Sequence, residues 1–435
     1  MLLAVFRPIG DEGMNLLVLS LNYSPEPTGF APHITALCEH MARQGHKVTV
    51  VTGFPFAPTW SRWPEYRGKI AERKRINGVE VIRVSHFIPR RPRQLYQRLL
   101  MEGSFSLMAA TALLSRLRSR LDMILYVGAQ PAVAMLARIL SILLGTPYAV
   151  AINDLAARAA VDVGIVRREW LSKALESFEY GGYRGASGAI VLCAAFREAL
   201  VARDYPRERI RLIRSPVDLK LIRPLQDAEG VREQLGLSDG DFVILYSGSM
   251  GLKQDLSNVI VAAFRLKKDS PSVKWVLVGE GELKPRLLNL IKEYDLRDCV
   301  QLLPLQPETQ IAAMFSSADV LLLSQLATVK DTAIPSKLMA YMAAGKAVLA
   351  AVDPSSQAAD LLRESGGGVV VAPQDPSALV AAVKNLIAQT HLLRTMGRSN
   401  RKYAEQHLDQ RQIVAAQEAF LMDIVRWAGE ESARA

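Results

Sequence analysis

Long unbroken apolar runs are missing from this chain of 435 residues, although half of those residues are hydrophobic. The two best stretches, Phe105–Leu114 and Ile139–Ile152, are too short or are interrupted by Gly145 and Pro147. A helix needs about 20 consecutive apolar residues to cross a bilayer core, so no spanning helix is expected. Cysteine is equally scarce. Cys38, Cys193 and Cys299 are far apart and each sits in an apolar context, which reads as buried free thiols rather than a disulfide framework or a metal site, and fits a reducing cytoplasm. Of the six histidines, His33 and His40 share a face of a helix expected over Pro32–Gln44, but no third ligand is near in sequence. No serine stands in a nucleophile-elbow context, which argues against a hydrolase. The first residues, 1–13, lack the basic start and small-residue cleavage site of a leader and read as a tail ahead of a start at Met14.

What the chain has in excess is positive charge, and only in one half. Residues 1–216 carry 29 Lys and Arg against 17 Asp and Glu, and the remainder carries 24 against 26. Most of the excess falls between Arg62 and Arg120, including Arg73-Lys-Arg75 and Arg90-Arg-Pro-Arg93, with Trp60, Trp63, Tyr66, Phe87 and Tyr96 interleaved. Three readings compete: a solvated basic face, a nucleic-acid surface, or contact with anionic lipid headgroups. Nucleic acid ranks last because no recognition motif or zinc spacing accompanies the charge. Arg90, Arg91 and Arg93 stand beside Ile88 and the amphipathic run Leu95–Leu107, which makes them candidates for a membrane surface. His86 lies in the same region as a candidate contact for an acceptor phosphate.

The length calls for two cores. Apolar runs at Asn15–Leu21, Lys47–Thr52, Val79–Val84, Met123–Val127, Tyr148–Ile152, Ala189–Leu192 and Ile210–Ile213 alternate with amphipathic helices. The pattern restarts after Ser215-Pro-Val-Asp218 with Phe242–Tyr246, Lys274–Val278, Val300–Leu303, Val320–Leu323, Ala347–Val352 and Gly368–Val371. This alternation predicts an α/β protein of two doubly wound, Rossmann-like domains facing a cleft. The expected boundaries are 14–215 and 216–405, with 406–435 a terminal helix that packs back on the first domain through Ile413, Phe420, Ile424 and Trp427.

Ligands of such sheets bind beyond the carboxyl ends of the strands, and four loops there have suitable chemistry. The first strand runs into Asn22-Tyr-Ser-Pro-Glu-Pro-Thr-Gly29, where Gly29 admits a close backbone approach. Ser247-Gly-Ser-Met-Gly-Leu-Lys-Gln254 is a small-residue loop holding Gly248 and one cation, Lys253. Gly279-Glu-Gly281 is a tight turn around Glu280. Pro335-Ser-Lys337 opens a helix that ends near Gly345, so its unpaired amides beside Pro335, Ser336 and Lys337 suit an anion. Taken singly, each is compatible with an ordinary turn or helix start.

In this order and spacing the motifs resemble the retaining glycosyltransferases of the GT-B fold, in the large group-1 family 4. Tyr23–Ala31 with Gly45–Thr52, Asn77–Val84, Pro216-Val-Asp218, Val278-Gly-Glu-Gly-Glu-Leu283 and Ala318-Asp-Val-Leu-Leu322 carry the resemblance from Met14 onward. Pro335-Ser-Lys337 with Tyr341-Met-Ala-Ala-Gly345 is most similar to the branch that builds colanic-acid-type exopolysaccharide and O-antigen, including fucosyl and N-acetylfucosaminyl transferases. The resemblance implies a UDP- or GDP-linked sugar as donor substrate, a lipid-linked saccharide acceptor, no cofactor and no metal. The leaving diphosphate is then met by Lys253 and helix amides, and Asp154, retained from the branch's Asp-Leu element in Asn153-Asp-Leu155, orients acceptor or sugar. It also implies a cytoplasmic enzyme peripheral to the inner face of the membrane. Two family glutamates are replaced here by Thr332 and Ala340, for which Asp331 and Ser356 or Gln357 are candidate substitutes. Because of those replacements a non-catalytic scaffold subunit of the same shape stays open beside the enzyme. A nucleotide-sugar epimerase is disfavoured, since the loops follow the transferase branch.

Overall fold

The computed structural model describes residues 13–27, 29–92, 94–114, 120–162, 164–225, 229–329 and 335–434. The tail 1–12, Arg93, Asp331 and Thr332 therefore lie outside the described residues. The chain divides into two compact units, Met1–Arg214 with Arg411–Ala435, and Ser215–Gln410.

The first unit is built on eight strands: β1 (Asn15–Leu19), β2 (Lys47–Gly53), β3 (Ala71–Ile76), β4 (Val79–Val84), β5 (Met123–Gly128), β6 (Tyr148–Ile152), β7 (Gly188–Val191) and β8 (Ile210–Leu212). Their order in the sheet is β3-β4-β2-β1-β5-β6-β7-β8. All neighbours are parallel except β3 and β4. Every residue of β5 and β6 is buried, which is why these segments are apolar without alternation: helices cover both faces of a parallel sheet. The edge strand β3 is the exception. It carries Arg73-Lys-Arg75, is mostly exposed, and pairs antiparallel with β4 through Asn77 and Gly78, both at positive φ. A charged edge resists further strand pairing. Part of the basic cluster thus belongs to a hairpin that the Asn-Gly pair signals and that the periodicity reading above passed over.

The helix Ala31–Arg43 buries Ile34, Leu37, Cys38 and Met41 at three- and four-residue spacing, has Pro32 in its first turn, and is followed by Gly45 at φ +92°. The terminal helix runs over Gln410–Arg434, inside the expected 406–435. Its Val414, Phe420, Leu421, Ile424 and Val425 enter the core formed by Leu16, Val18, Met41 and Ile190. Ile424 sits where a side chain on Gly188 would have to be, since a Cβ there would lie 2.3 Å from its Cδ1. A carboxylate fixes the register of this helix. Glu418 bridges Nε2 of His40 and Nε2 of His46, each at 2.8 Å. Nδ1 of His46 accepts the Met14 amide at 2.9 Å, so the ring proton of His46 is on Nε2 and is donated to Glu418.

The second unit holds β9 (Phe242–Ser247), β10 (Val273–Val278), β11 (Val300–Leu303), β12 (Val320–Ser324), β13 (Ala347–Ala351) and β14 (Gly368–Val371). The order is β11-β10-β9-β12-β13-β14, with every neighbour parallel. Both units thus share one plan, in which the sheet reverses its direction of growth beside its first strand. All three cysteines are buried and none is in a disulfide. Among the described residues no helix is long and apolar enough to cross a membrane.

Replacing Glu418 by Ala removes the partner of two half-buried ring nitrogens. The expected cost is about 1–3 kcal/mol, read as a lower urea midpoint at unchanged slope.

Candidate functional site

In each sheet the crevice is expected outside the carboxyl ends of the strands at the reversal point, which lies between β9 and β12 in the second unit and between β1 and β5 in the first. The second unit's end is lined by backbone. Ser247 closes β9, where Tyr341 pins it by accepting the Ser247 amide at 2.9 Å and donating to its carbonyl at 3.1 Å. Gly248, Gly279 and Gly281 follow at φ +136°, +155° and +157°. A Cβ on Gly279 would lie 1.9 Å from the Gly248 carbonyl oxygen, so the two loops approach only as glycines. The Met250 amide donates to the Glu280 carbonyl at 2.8 Å, and the Leu283 amide to the Met250 carbonyl at 3.0 Å. Loop and turn form one backbone floor. The loop after β12 joins it through the Leu326 amide, which donates to the Lys253 carbonyl at 2.9 Å.

Lys337 closes this floor from the helix Ser336–Ala343. Its ammonium lies 3.9 Å from the centre of the Tyr246 ring, donates to Tyr246 Oη at 2.5 Å, and would meet a Cβ on Gly248 at 2.8 Å. Burial pulls its pKa down to about 7. The residue before this helix, Pro335, has no side-chain oxygen, and among the described residues no side chain caps the first amides. The site thus offers uncapped amides, a poised ammonium and a glycine floor, a set of features suited to a diphosphate.

Gly248, Lys253, Gly279, Glu280, Pro335, Ser336 and Lys337 all lie at this one end of the second sheet. Lys253 is half-buried in a turn of 3-10 helix, Leu252–Gln254. Glu280 contributes its carbonyl, because its carboxylate pairs with Lys284 at 2.5 Å. Lys337 points inward and not to solvent. Ser356 does not serve as a ribose contact: it is buried, and its Oγ accepts the Ala359 amide as a helix cap. Ala340 is half-buried in its helix and Gln357 opens the next one. An Asp-x-Asp triplet, Asp239-Gly-Asp241, stands before β9, at the opposite end of the sheet, with Asp241 accepting the Ser238 amide.

The first unit treats its strand ends differently. Gly29 lies at φ +67° just before the helix Ala31–Arg43, with open space where a Cβ would be. Glu26 is buried, and its Oε1 accepts the Phe56 and Ala57 amides, each at 2.8 Å. Glu102 is also buried and accepts the Ala132 amide at the start of the helix Pro131–Leu144, at 3.3 Å. Asp154 stands in the turn after β6. His86 departs from its expected role: its ring is buried between Phe56 and Phe105 against Gly53, and burial pulls its pKa down to about 4. A neutral, enclosed imidazole is not part of an exposed cationic face. Burial holds His33 neutral in the same way, at about 4. Arg90 and Arg91 are exposed in the loop before the helix Leu95–Leu114. Sequence reasoning missed Glu26, Glu102, Tyr246 and Tyr341. Glu102 did leave a signal, as the one acid in a 20-residue apolar helix.

Two family matches tile the chain. Residues 28–216 match the Glycosyl transferase 4-like domain, and residues 227–403 match Glycosyl transferases group 1. The chain belongs to the group 1 glycosyltransferases of family 4. It is 29% identical over 417 residues to the Escherichia coli (strain K12) protein named as colanic acid biosynthesis glycosyl transferase WcaI, covering 94% of this chain and 100% of that one. It is 23% identical over 308 residues to the glycosyltransferase WbjE of Pseudomonas aeruginosa, covering 68% and 74%. Among solved structures, Anabaena Alr3699/HepE in complex with UDP aligns with a TM-score of 0.70 at 16% identity, covering 94% of this chain and all of that one. The lipopolysaccharide glycosyltransferase WaaG aligns at 0.67 and 14%, covering 92% and 98%. The fold is GT-B.

Two substitutions test this transferase's second-unit site. Gly279→Ala forces a Cβ into the Gly248 carbonyl and is expected to abolish nucleoside diphosphate binding measured by calorimetry with UDP and GDP, with a lower Tm. Lys337→Met is expected to weaken nucleoside diphosphate binding by about tenfold or more. An ordinary lysine titrates near 10.4, so the unfolded chain still holds this proton where the folded one has released it. The buried charge therefore costs stability below about pH 7, and less and less as pH rises toward 10. Lys337→Met should raise Tm more at pH 6 than at pH 9, while wild-type affinity for a nucleoside diphosphate falls over the same rise.

Proposed function

We propose that this glycosyltransferase moves a sugar from a UDP- or GDP-linked donor to a lipid-linked saccharide during exopolysaccharide or O-antigen synthesis. In this reading configuration is retained and no metal takes part. The observation that carries it is the diphosphate-suited end of the second sheet, where the Gly248 and Gly279 floor, Lys253, Lys337 and the uncapped amides of the helix Ser336–Ala343 adjoin. The alignment with a UDP-bound GT-B structure and the similarity to a colanic acid transferase support the same assignment. The acceptor hydroxyl attacks the anomeric carbon from the face the diphosphate leaves. The bond from that carbon to the phosphate oxygen breaks as the new glycosidic bond forms, and the hydroxyl proton passes to the departing phosphate. Cations and amides answer the charge that develops on the leaving group. Incubating the purified chain with labelled UDP- and GDP-sugars and undecaprenyl-diphosphate-linked saccharides tests this directly. Transfer that persists in EDTA, with the anomeric configuration kept, is the expected result; binding without transfer favours the scaffold alternative.

The acceptor is reached from the membrane surface in this reading. The helix Leu95–Leu114 exposes Leu100 and Leu107 at 51% and 66%, next to the exposed Arg90 and Arg91, with Arg93 outside the described residues. Apolar side chains enter the interface while basic ones meet anionic headgroups. Each basic residue contributes about 1 kcal/mol at such a surface. The triple change of Arg90, Arg91 and Arg93 to Ala should therefore weaken co-sedimentation with anionic liposomes by about two orders of magnitude at low salt, and by less as salt rises.

A further inference from the structure

Tyr246 is the next-to-last residue of β9 and is fully buried, packed with Ile244, Met250 and Leu256 in an apolar core. A phenolic hydroxyl in such a core costs stability unless its proton and its oxygen find partners. The proton goes to the Ser249 carbonyl, 2.5 Å from Tyr246 Oη. A hydroxyl has one proton to give, so toward any further neighbour Oη can only accept. That neighbour is Lys337, whose ammonium donates to Oη at 2.5 Å and lies 3.9 Å from the ring centre. The lysine comes from the helix Ser336–Ala343, 91 positions on. Gly248 makes room for it, since a Cβ there would lie 2.8 Å from Nζ and 4.0 Å from Oη. Among the described residues, Tyr246 is the hydrogen-bond partner that fixes where this ammonium points.

We propose that Tyr246 is a positioning residue of the diphosphate site, which holds the Lys337 ammonium over the Gly248 floor so that it meets the diphosphate of the donor. This rests on the reading of that strand end given under the proposed function. The bond to Ser249 orients the hydroxyl, so a lone pair is presented to the ammonium before any ligand arrives. The ring face adds a second attraction to the same cation. The partner is also neutral, which leaves the charge of the lysine for a phosphate oxygen. A carboxylate in the same place would hold the lysine more tightly, but it would cancel that charge and repel the phosphate. Tyr341, one turn along the helix from Lys337, is the other titratable group that acts on Tyr246, and burial raises both phenols well above their ordinary value. Neither therefore changes charge between pH 5 and 9. The lysine does, with burial opposing its charge and the hydroxyl lone pair favouring it.

Calorimetry of the full chain with UDP and with GDP, between pH 5.5 and 9, tests this. Tyr246→Phe keeps the ring and its packing and removes only the hydroxyl. Its affinity for whichever nucleotide binds is expected to fall, by about tenfold more at pH 9 than at pH 5.5, because the lysine without its acceptor gives up its proton about one unit lower. The titration of the nucleotide itself cancels in the ratio of variant to wild type. In a Lys337→Met background the same change should cost no more than about twofold, since Tyr246 acts through the lysine. Tyr341→Phe is the control. It removes a buried hydroxyl from the same strand end, one that bonds Ser247 and not the lysine, and its ratio to wild type should not vary with pH. Three results would overturn the inference and leave the diphosphate site standing, provided that Lys337→Met weakens binding: no loss in Tyr246→Phe, or one of equal size at every pH; losses that multiply in the double variant; or the same pH-dependent ratio in Tyr341→Phe. Undiminished nucleotide binding in Lys337→Met, or no binding of UDP or GDP by wild type, would remove the reading of that site and the inference with it.

Discussion

The close approach of Gly248 to Gly279 is the constraint on which the second unit's functional end depends. With 1.9 Å between one carbonyl oxygen and the place of a Cβ on the other residue, no side chain can stand there, and two loops from adjacent strands can share amide-to-carbonyl bonds. Everything else at that end is arranged on this floor. Tyr341 pins Ser247 from the helix behind, Lys337 lies over Gly248, and the Lys253 carbonyl receives the loop after β12. A ligand at this end meets backbone dipoles and ammonium groups rather than bulky side chains. Such a surface answers the charge of a departing diphosphate at little reorganisation cost.

The two units share a sheet plan but differ at particular helix starts. In the second unit, where Ser356 and Asp375 cap later helices, no side chain among the described residues caps the helix Ser336–Ala343. In the first, Glu102 and Glu179 occupy the amides that open the helices after β5 and β6, and Glu26 takes two amides after β2. Positive helix ends left open attract anions, whereas ends filled by an internal carboxylate do not. The same plan thus gives one strand end fitted to phosphate and another whose amides are already spent. That division follows the expected labour of a transferase, with a nucleotide diphosphate on one unit and a sugar bearing hydroxyls on the other.

Strands buried on both faces were legible in the sequence because their composition is continuous, and so β5, β6, β9, β12 and β13 stand where apolar runs predicted them. The edge strand β3 was not legible by that criterion, since Ala-Glu-Arg-Lys-Arg-Ile has the composition of a solvated loop; only the Asn77-Gly78 turn betrayed it. The glycine loops and the start of the helix at Ser336 could be found because glycine and proline act locally. Which side chains face each other is a property of the fold. Nothing in the sequence near Asp154 points to Glu179, 25 positions on, and nothing near Lys337 points to Tyr246. His86 shows the converse error: a histidine among arginines reads as a cationic contact, but packing between Phe56 and Phe105 makes it a neutral part of the core.

Hydrogen exchange of the full chain with and without a saturating nucleoside diphosphate, UDP or GDP, whichever binds, tests the central assignment most directly, because it needs neither the acceptor nor the sugar. Binding that orders amides slows their exchange. The account predicts new protection in the loop 248–254, the turn 279–281 and the start of the helix at 336–338, with the strand ends near 128–132 and 153–157 little changed. Protection confined to those first-unit segments, or nucleoside diphosphate binding with no change at 248–254 and 336–338, would contradict it.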